Sequence, residues 1–160
     1  MKKKLLENER GDLSYFSIFV ILAVNMMLSF LLLFASVKIN CINIRNAAKM
    51  ELNNVSARIY ADTFHSQREA NLDSYMADLH LSSAYQDVLR AGFINGLEER
   101  IALSNDDYTV SNISLRFHQY SDKIEYVVDC DATFRIRMFG ELFPPIIQHI
   151  TLTGSHNTKY

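Results

Sequence analysis

The chain has 160 residues, of which 49% are hydrophobic and 21% are charged, and its formal net charge is −2. A chain of this length accommodates one modest domain with an appendage. The slightly acidic balance excludes the basic field that nucleic-acid binding requires, and two cysteines are too few for a disulfide-rich scaffold.

Composition divides the chain into a basic leader at 1–11, a membrane helix at 12–37, an amphipathic continuation at 38–65, a helical segment at 66–104 and a β-sheet region at 105–160. Leu13–Val37 contains 25 residues without a charged side chain. At about 1.5 Å per residue this block can cross roughly 30 Å of hydrocarbon. A secretory signal has a shorter apolar core, of about 7–15 residues. We therefore expect a retained single-pass helix, with a cytoplasmic N-terminus and an extracytoplasmic C-terminal domain.

The residues after the apolar block predict that the same helix continues as an amphipathic one. Neither Gly nor Pro occurs between Asp12 and Ala91, so no residue obliges the helix to stop at the membrane surface. The apolar residues that recur at spacings of three and four are Val37, Cys41, Ile44, Ala48, Leu52, Val55 and Ile59. This stripe predicts one helix from about Leu13 to about Phe64, packed on its own domain rather than in a coiled coil.

The helical segment is predicted to contain two shorter helices. Polar Ser66–Asp73 is expected to end or bend the long helix, and Leu72–Leu79 matches a short second helix. Ser83-Ala-Tyr-Gln86 is a capping box that opens a further helix. Gly92 and Gly96 lie inside that helix and indicate either close packing or a break.

The last third of the chain has the period of two that is typical of strands. A first strand covers Tyr108–Phe117, with a phase slip near Asn112 that fits a β-bulge. Apolar residues then occupy every even position from Ile124 to Met138, which predicts one long antiparallel strand with a buried face. A final strand is expected at Ile146–Thr153. The predicted fold class is α+β, with the long helix and a small antiparallel sheet covering each other.

Two stretches of the sequence resemble type IV pilins of the tight-adherence (Tad/Flp) class. "KKKLLENERGDLSYFSIFVILAV" is similar to a class III prepilin signal that is cut after Gly11, leaving Asp12 as the new N-terminus. "YVVDCDATFRIRMFGELFPPIIQHITLTGS" resembles the end of TadE/TadF-like minor pilins, in which an alternating strand meets a Phe-Pro-rich turn and a final strand. The resemblance implies a pilin-like fold and a subunit that assembles through its N-terminal helix.

The sequence departs from the family at one position. The processed helix of these pilins usually carries Glu five residues after the cut, where this chain has Phe16. That buried carboxylate is thought to neutralise the amino terminus of a neighbouring subunit, because an unpaired charge in lipid is costly. The residues expected to take part in helix–helix assembly are Phe16, Asn25 and Ser29, with Asn25 offering an interhelical hydrogen bond.

The sequence contains no arrangement that predicts catalysis, a metal site or a cofactor. Asp129 and Asp131 share a strand face with Glu125 and could hold a cation. Arg135 and Arg137 lie on the same face, however, so aspartates satisfied by cross-strand ion pairs or by solvent are the favoured interpretation. Phosphate-loop, serine-hydrolase and zinc-protease motifs are absent from the sequence. We therefore expect a protein that is not an enzyme and has no cofactor.

Cys41 lies on the helix stripe and Cys130 on the inner face of the sheet, and these two surfaces are predicted to meet. A disulfide between them is compatible with an extracytoplasmic domain. Two separately buried thiols are the favoured alternative.

The sequence thus favours a membrane-anchored pilin-like subunit of a Tad/Flp-type pilus or a related secretion apparatus. Its expected partners are the lipid bilayer, other pilin-like subunits, the assembly platform and a prepilin peptidase, and they do not include nucleic acid. The alternative is an unprocessed single-pass accessory protein whose extracytoplasmic domain binds a protein partner, and Phe16 in place of Glu favours that alternative.

Overall fold

The computed structural model describes residues 2–69, 81–120, 123–138 and 141–157. Side chains are described for 15–62, 81–120, 123–137 and 143–156. The chain divides into two compact units, Met1–Ile39 and Asn40–Tyr160. The first unit is helical throughout its described residues, whereas the second contains helices and a sheet. The fold class is α+β, as the sequence predicts.

Helix α1, Lys2–Glu69, is longer at both ends than the periodicity predicts. It begins before the predicted start at Leu13 and includes Gly11 without a break. One glycine costs a helix only about 1 kcal/mol, and α1 contains no proline, so no residue interrupts it. The structure describes α1 as far as Glu69, and the rest of the polar stretch Ser66–Asp73 lies outside the described residues. The short helix predicted at Leu72–Leu79 lies entirely outside the described residues.

Helix α2, Ser83–Arg100, begins one residue earlier than its predicted capping box. The N-cap is Ser82, whose hydroxyl accepts a hydrogen bond from the Tyr85 amide at 3.3 Å. The predicted pair of Ser83 with Gln86 is therefore wrong by one residue. The backbone of Ser82 is extended, with φ −56° and ψ 149°, which is the conformation that an N-cap requires.

The described residues that follow contain five strands: β1 (Tyr108–Gln119), β2 (Lys123–Phe134), β3 (Arg137–Met138), β4 (Glu141–Leu142) and β5 (Ile146–Asn157). The main sheet is antiparallel with the order β1-β2-β5, so that β2 is its central strand. β3 and β4 form a separate two-stranded pair. The predicted bulge is confirmed, because the β1–β2 register shifts between Ser111 and Ser114 and Asn112 has a φ of 53°.

The long strand predicted to reach Met138 ends instead at Phe134. On the β1 side, the amide of Arg135 still donates to the carbonyl oxygen of Asp107 at 2.8 Å, which continues the pairing with β1 by one residue. On the β5 side, Pro145 precedes the first residue of the strand and has no amide hydrogen with which to extend the β2–β5 ladder. Apolar residues still alternate in the sequence past Phe134, but the hydrogen-bond ladder between β2 and β5 stops there.

The core of the second unit joins α1 to the inner face of the sheet. The predicted alternation of β2 is confirmed by the buried side chains of Ile124, Tyr126, Val128, Cys130, Ala132 and Phe134. The α1 stripe is buried at Ile44, Ala48, Leu52, Val55 and Ile59. The hydroxyl of Tyr126 donates to Ser56 Oγ at 2.5 Å, and the rings of Tyr60 and His156 meet edge to face. Helix and sheet thus cover each other, as predicted.

Helix α2 covers a second part of this core. Its buried residues are Leu89, Phe93 and Leu97. The guanidinium of Arg90 donates through Nε to the carbonyl oxygen of Leu115 on β1 at 2.9 Å. The helix is continuous through Gly92 and Gly96, so these glycines mark close packing and not a break.

Candidate functional site

The apolar part of α1 leaves its side chains uncovered. Every large apolar side chain from Tyr15 to Phe34 is exposed except Leu33, with exposed fractions between 39% and 76%. Among the described residues, one helix near the N-terminus is long and apolar enough to cross a membrane, judged by length and composition. This segment is consistent with a single-pass membrane protein.

The residues expected to assemble helices do not share one face of this segment. Asn25 and Ser29 are one turn apart, and the Ser29 hydroxyl donates to the Asn25 carbonyl oxygen at 2.9 Å. Phe16 precedes Asn25 by nine residues, which places it about half a turn away on a helix of 3.6 residues per turn. Gly11 and Asp12 belong to the backbone of α1, and the Asp12 side chain lies outside the described residues.

A polar groove of about 910 Å³ separates α1 from α2 in the second unit. Among the residues that line it is Glu51, which is only 6% exposed. Its carboxylate pairs with the guanidinium of Arg100 and accepts hydrogen bonds from Asn54 Nδ2 at 3.1 and 3.2 Å. Gly96 lies directly against it. Because the buried charge of Glu51 is paired and hydrogen-bonded, this carboxylate joins two helices and is not itself a free acid or base.

A second polar contact joins the same helices. The hydroxyl of Tyr85 donates to the carboxylate of Asp62. Burial of the phenol, and next its hydrogen bond to Asp62, raise the pKa of Tyr85 above its ordinary value. The phenol therefore stays protonated at physiological pH and keeps donating to the carboxylate. This tyrosine acts as a fixed hydrogen-bond donor and not as a proton shuttle.

The outer face of the sheet carries the two aspartates that the sequence singles out. The Asp129 carboxylate accepts from Thr151 Oγ1 at 2.8 Å and pairs with Arg116. These contacts, the threonine hydrogen bond first, lower the pKa of Asp129. Asp129 is thus held by cross-strand contacts, and its arginine is Arg116 of β1. The guanidinium of Arg135 instead donates to Thr109 Oγ1 at 3.1 Å, because it follows the end of β2.

Asp131 is held by neighbours on both sides of β2. Its Oδ2 atom accepts from Asn112 Nδ2 at 2.8 Å, at the bulge of β1. The His149 ring on β5 lies at ion-pairing distance from Oδ1, but without hydrogen-bond geometry. Cross-strand contacts therefore occupy both aspartates. Among the described residues, no group of three or more His, Cys, Asp and Glu side chains is placed to hold a metal ion.

Both cysteines are free thiols, with Cys130 buried on β2 and Cys41 half-buried on α1. Burial is the main cause that raises the pKa of Cys130 to about 11, and the charges of Asp131, Asp129 and Cys41 add to it. At neutral pH this thiol is protonated and a poor nucleophile. The disulfide between the two cysteines stays a prediction.

A third feature is a groove of about 520 Å³ between α1 and β5. Arg45 and Lys49 line it from the helix, and Thr151, Thr153 and Gly154 line it from the strand. Sequence reasoning missed this groove and the Glu51 carboxylate, because both depend on contacts between segments far apart in the chain. The one available signal for Glu51 is a charged residue in the apolar stripe between Ala48 and Leu52.

The chain matches no protein-family model, no curated protein and no solved structure.

Proposed function

We propose that this protein is a non-catalytic, membrane-anchored, pilin-like subunit of a Tad/Flp-type pilus or a related secretion apparatus. The observation that carries the proposal is the uncovered apolar surface of α1 between Tyr15 and Phe34. Keeping such side chains in water costs roughly 25 cal/mol per Å² of apolar surface. Lipid or other apolar helices must therefore cover this segment.

A pilin-like subunit uses one apolar helix in two surroundings. The helix first holds the monomer in the bilayer and then moves into a bundle of like helices when subunits assemble. Its apolar surface stays out of water in both states. The exposed Asn25 offers a hydrogen bond to a neighbouring helix, which is worth roughly 0.6–2 kcal/mol in a membrane. Other pilin-like subunits and an assembly platform are the partners that this role requires.

The same proposal includes processing by a prepilin peptidase at the Gly11–Asp12 bond, on the cytoplasmic side. Cleavage there would remove the basic leader and retain the whole apolar segment. The extracytoplasmic domain would then consist of the folded unit Asn40–Tyr160, whose outer sheet face is polar. The apolar segment and the resemblance together support this proposed location.

One observation favours a second function. Phe16 stands where the family usually has Glu, so this chain lacks the carboxylate that would neutralise a neighbour's amino terminus. An unprocessed single-pass accessory protein, whose extracytoplasmic domain binds a protein partner, does not need that carboxylate. The two functions differ in whether the leader is removed.

Intact-protein mass spectrometry of the chain, expressed with and without a prepilin peptidase, separates them. The proposal expects loss of residues 1–11 only when the peptidase is present. Gly11→Leu is expected to abolish this loss, because the bulky side chain fills the position before the scissile bond. Ser14→Leu introduces the same residue three positions later and should be processed normally. A full-length N-terminus under both conditions would support the accessory protein instead.

A further inference from the structure

The groove between α1 and β5 concentrates positive charge. Arg45 and Lys49 are one helical turn apart and both are exposed. Among the described residues neither has a carboxylate within 4.0 Å, and no Asp or Glu lines the groove. Its other polar lining groups are the amides of Asn46 and Asn53 and the hydroxyls of two threonines. Two unpaired cations among neutral hydrogen-bond donors form a site for an anion.

The groove is built on a fixed scaffold. Its floor includes Leu52 and Leu152, which are 4% and 7% exposed. Gly154 lies on the ring of Tyr126, and a Cβ atom there would approach Tyr126 Cδ2 to 2.8 Å. The Tyr126 hydroxyl in turn donates a hydrogen bond to Ser56 Oγ of α1. Strand and helix are therefore held together beside the groove, and its walls exist before any ligand arrives.

We propose that this groove binds the phosphate of an anionic phospholipid headgroup. The planar guanidinium of Arg45 can hold two phosphate oxygens, and the ammonium of Lys49 adds a second positive charge one turn away. The inference rests on the membrane anchoring proposed above, because a headgroup is present only beside a bilayer.

Two observations favour a lipid over a free phosphate ion. Arg45 and Lys49 follow Val37, the last residue of the apolar block, by only eight and twelve residues, and basic residues next to a membrane helix attract anionic lipids. Ile42, which is 46% exposed, also lines the groove and adds an apolar surface that a phosphate ion cannot use. An amphiphile with one negative charge matches both surfaces.

The site also explains an unusual charge distribution. The proposed orientation places the residues after the apolar block outside the cytoplasm, where Lys and Arg are normally depleted near a membrane helix. Arg45 and Lys49 are nevertheless found there. A ligand that needs both cations gives a reason for keeping them.

Native mass spectrometry of the full chain in a neutral detergent tests the proposal. The protein is titrated with phosphatidylglycerol, with phosphatidylcholine and with inorganic phosphate. We expect phosphatidylglycerol to bind at least about tenfold more tightly than the other two, from two cations near one headgroup. The double variant Arg45→Gln/Lys49→Gln is expected to lose that preference.

The matched control is Lys123→Gln/Arg137→Gln, which removes the same charge from residues that do not line the groove. It should bind phosphatidylglycerol like the wild type, and far-UV circular dichroism should show that both doubles are folded. Equal losses in the two doubles, no loss in the groove variant, or equally tight binding of inorganic phosphate would each overturn the proposal.

Membrane fractionation of the same variants distinguishes a failure of the groove proposal from a failure of the membrane-anchor proposal. A protein that is found in the membrane fraction without headgroup preference refutes the groove but keeps the anchor. A protein that is recovered in the soluble fraction refutes the anchor itself.

Discussion

Replacing Gly96 by Ala is expected to destabilise the protein, although the same change normally stabilises a helix. Gly96 lies inside α2, four residues before its end, and faces the carboxylate of Glu51. A Cβ atom at residue 96 would lie 2.7 Å from Glu51 Cδ and closer still to Oε2. The carboxylate must then move, and it is the group that pairs with Arg100.

Two opposing free energies decide the result. Alanine in place of glycine in a helix interior contributes about 1 kcal/mol of stability. Breaking a buried ion pair costs about 3–5 kcal/mol when a charge is left uncompensated. The Arg100 side chain is 38% exposed and the Glu51 side chain 8%, so water replaces part of the lost interaction, and we take about half of that cost. The net expectation is a destabilisation of about 1 kcal/mol.

Gly92→Ala is the matched control, one turn earlier on the same helix. A Cβ atom there would lie 3.0 Å from Nη1 of Arg58, the end of a flexible and exposed side chain that can move away. This variant should therefore gain close to 1 kcal/mol. The two variants are thus expected to differ by about 2 kcal/mol in the free energy of unfolding.

Urea unfolding of the full chain in detergent micelles measures this difference. Tyrosine fluorescence is the signal, since the chain has eight tyrosines and no tryptophan. In a Glu51→Ala background the obstacle is absent, and Gly96→Ala should become stabilising by about 1 kcal/mol. If Gly96→Ala is as stable as Gly92→Ala in the wild-type background, the packing of Gly96 on the carboxylate is not what places glycine there.

Two further predictions concern the core and the outer face of the sheet. Phe93→Ala should lower the free energy of unfolding by about 3–5 kcal/mol in urea titrations, because this ring is 0% exposed, whereas Val88→Ala on the exposed side of α2 should change it by less than about 0.5 kcal/mol. The lowered pKa of Asp129 means that the unfolded chain takes up its proton first on acidification, so this carboxylate contributes stability above about pH 4 that is lost as the pH falls through its folded pKa. Asp129→Asn should flatten that part of the stability–pH curve, and an unchanged slope would contradict the assignment.

The parts of the fold that the sequence predicts are those that depend on local period. In β2 the side chain at every even position is buried, because successive side chains of a strand point to opposite faces and one face packs on the core. The phase slip at Asn112 predicts the bulge for the same reason. The apolar stripe of α1 is likewise predictable from the sequence, since Ile44, Leu52 and Ile59 recur at helical spacing.

Element ends were predicted less well, because they depend on competition between neighbours. Ser82 and Ser83 are adjacent and equally suited to cap α2, and only the backbone path makes the first of them the N-cap. The alternating pattern continues beyond Phe134, but the ladder between β2 and β5 does not. Neither outcome is visible in residue type or spacing.

The polar contacts could not be predicted from the sequence, for a different reason. Glu51 and Arg100 are 49 residues apart, and Asp129 finds its charged partner in Arg116 of another strand, not in the arginines of its own stretch. The cations of the α1–β5 groove share it with Thr151 only when β5 is packed against α1. Such pairs are determined by strand register and by packing, so a single sequence identifies the charged residues but not their partners.

The folded unit is expected to fold without the apolar segment, because every buried side chain in the described core belongs to it, from Ile44 to Leu152. A chain that begins at Asn40 retains this core and places an asparagine, a favourable N-cap, at the new start of α1. We expect this truncated chain to be soluble without detergent and to unfold in urea within about 1 kcal/mol of the full chain in micelles, since no core side chain is removed. A truncated chain that is unfolded, or that loses several kcal/mol, would show that residues 1–39 stabilise the folded unit; the apolar segment could then not exchange lipid for neighbouring helices independently of that unit, as the proposed assembly requires.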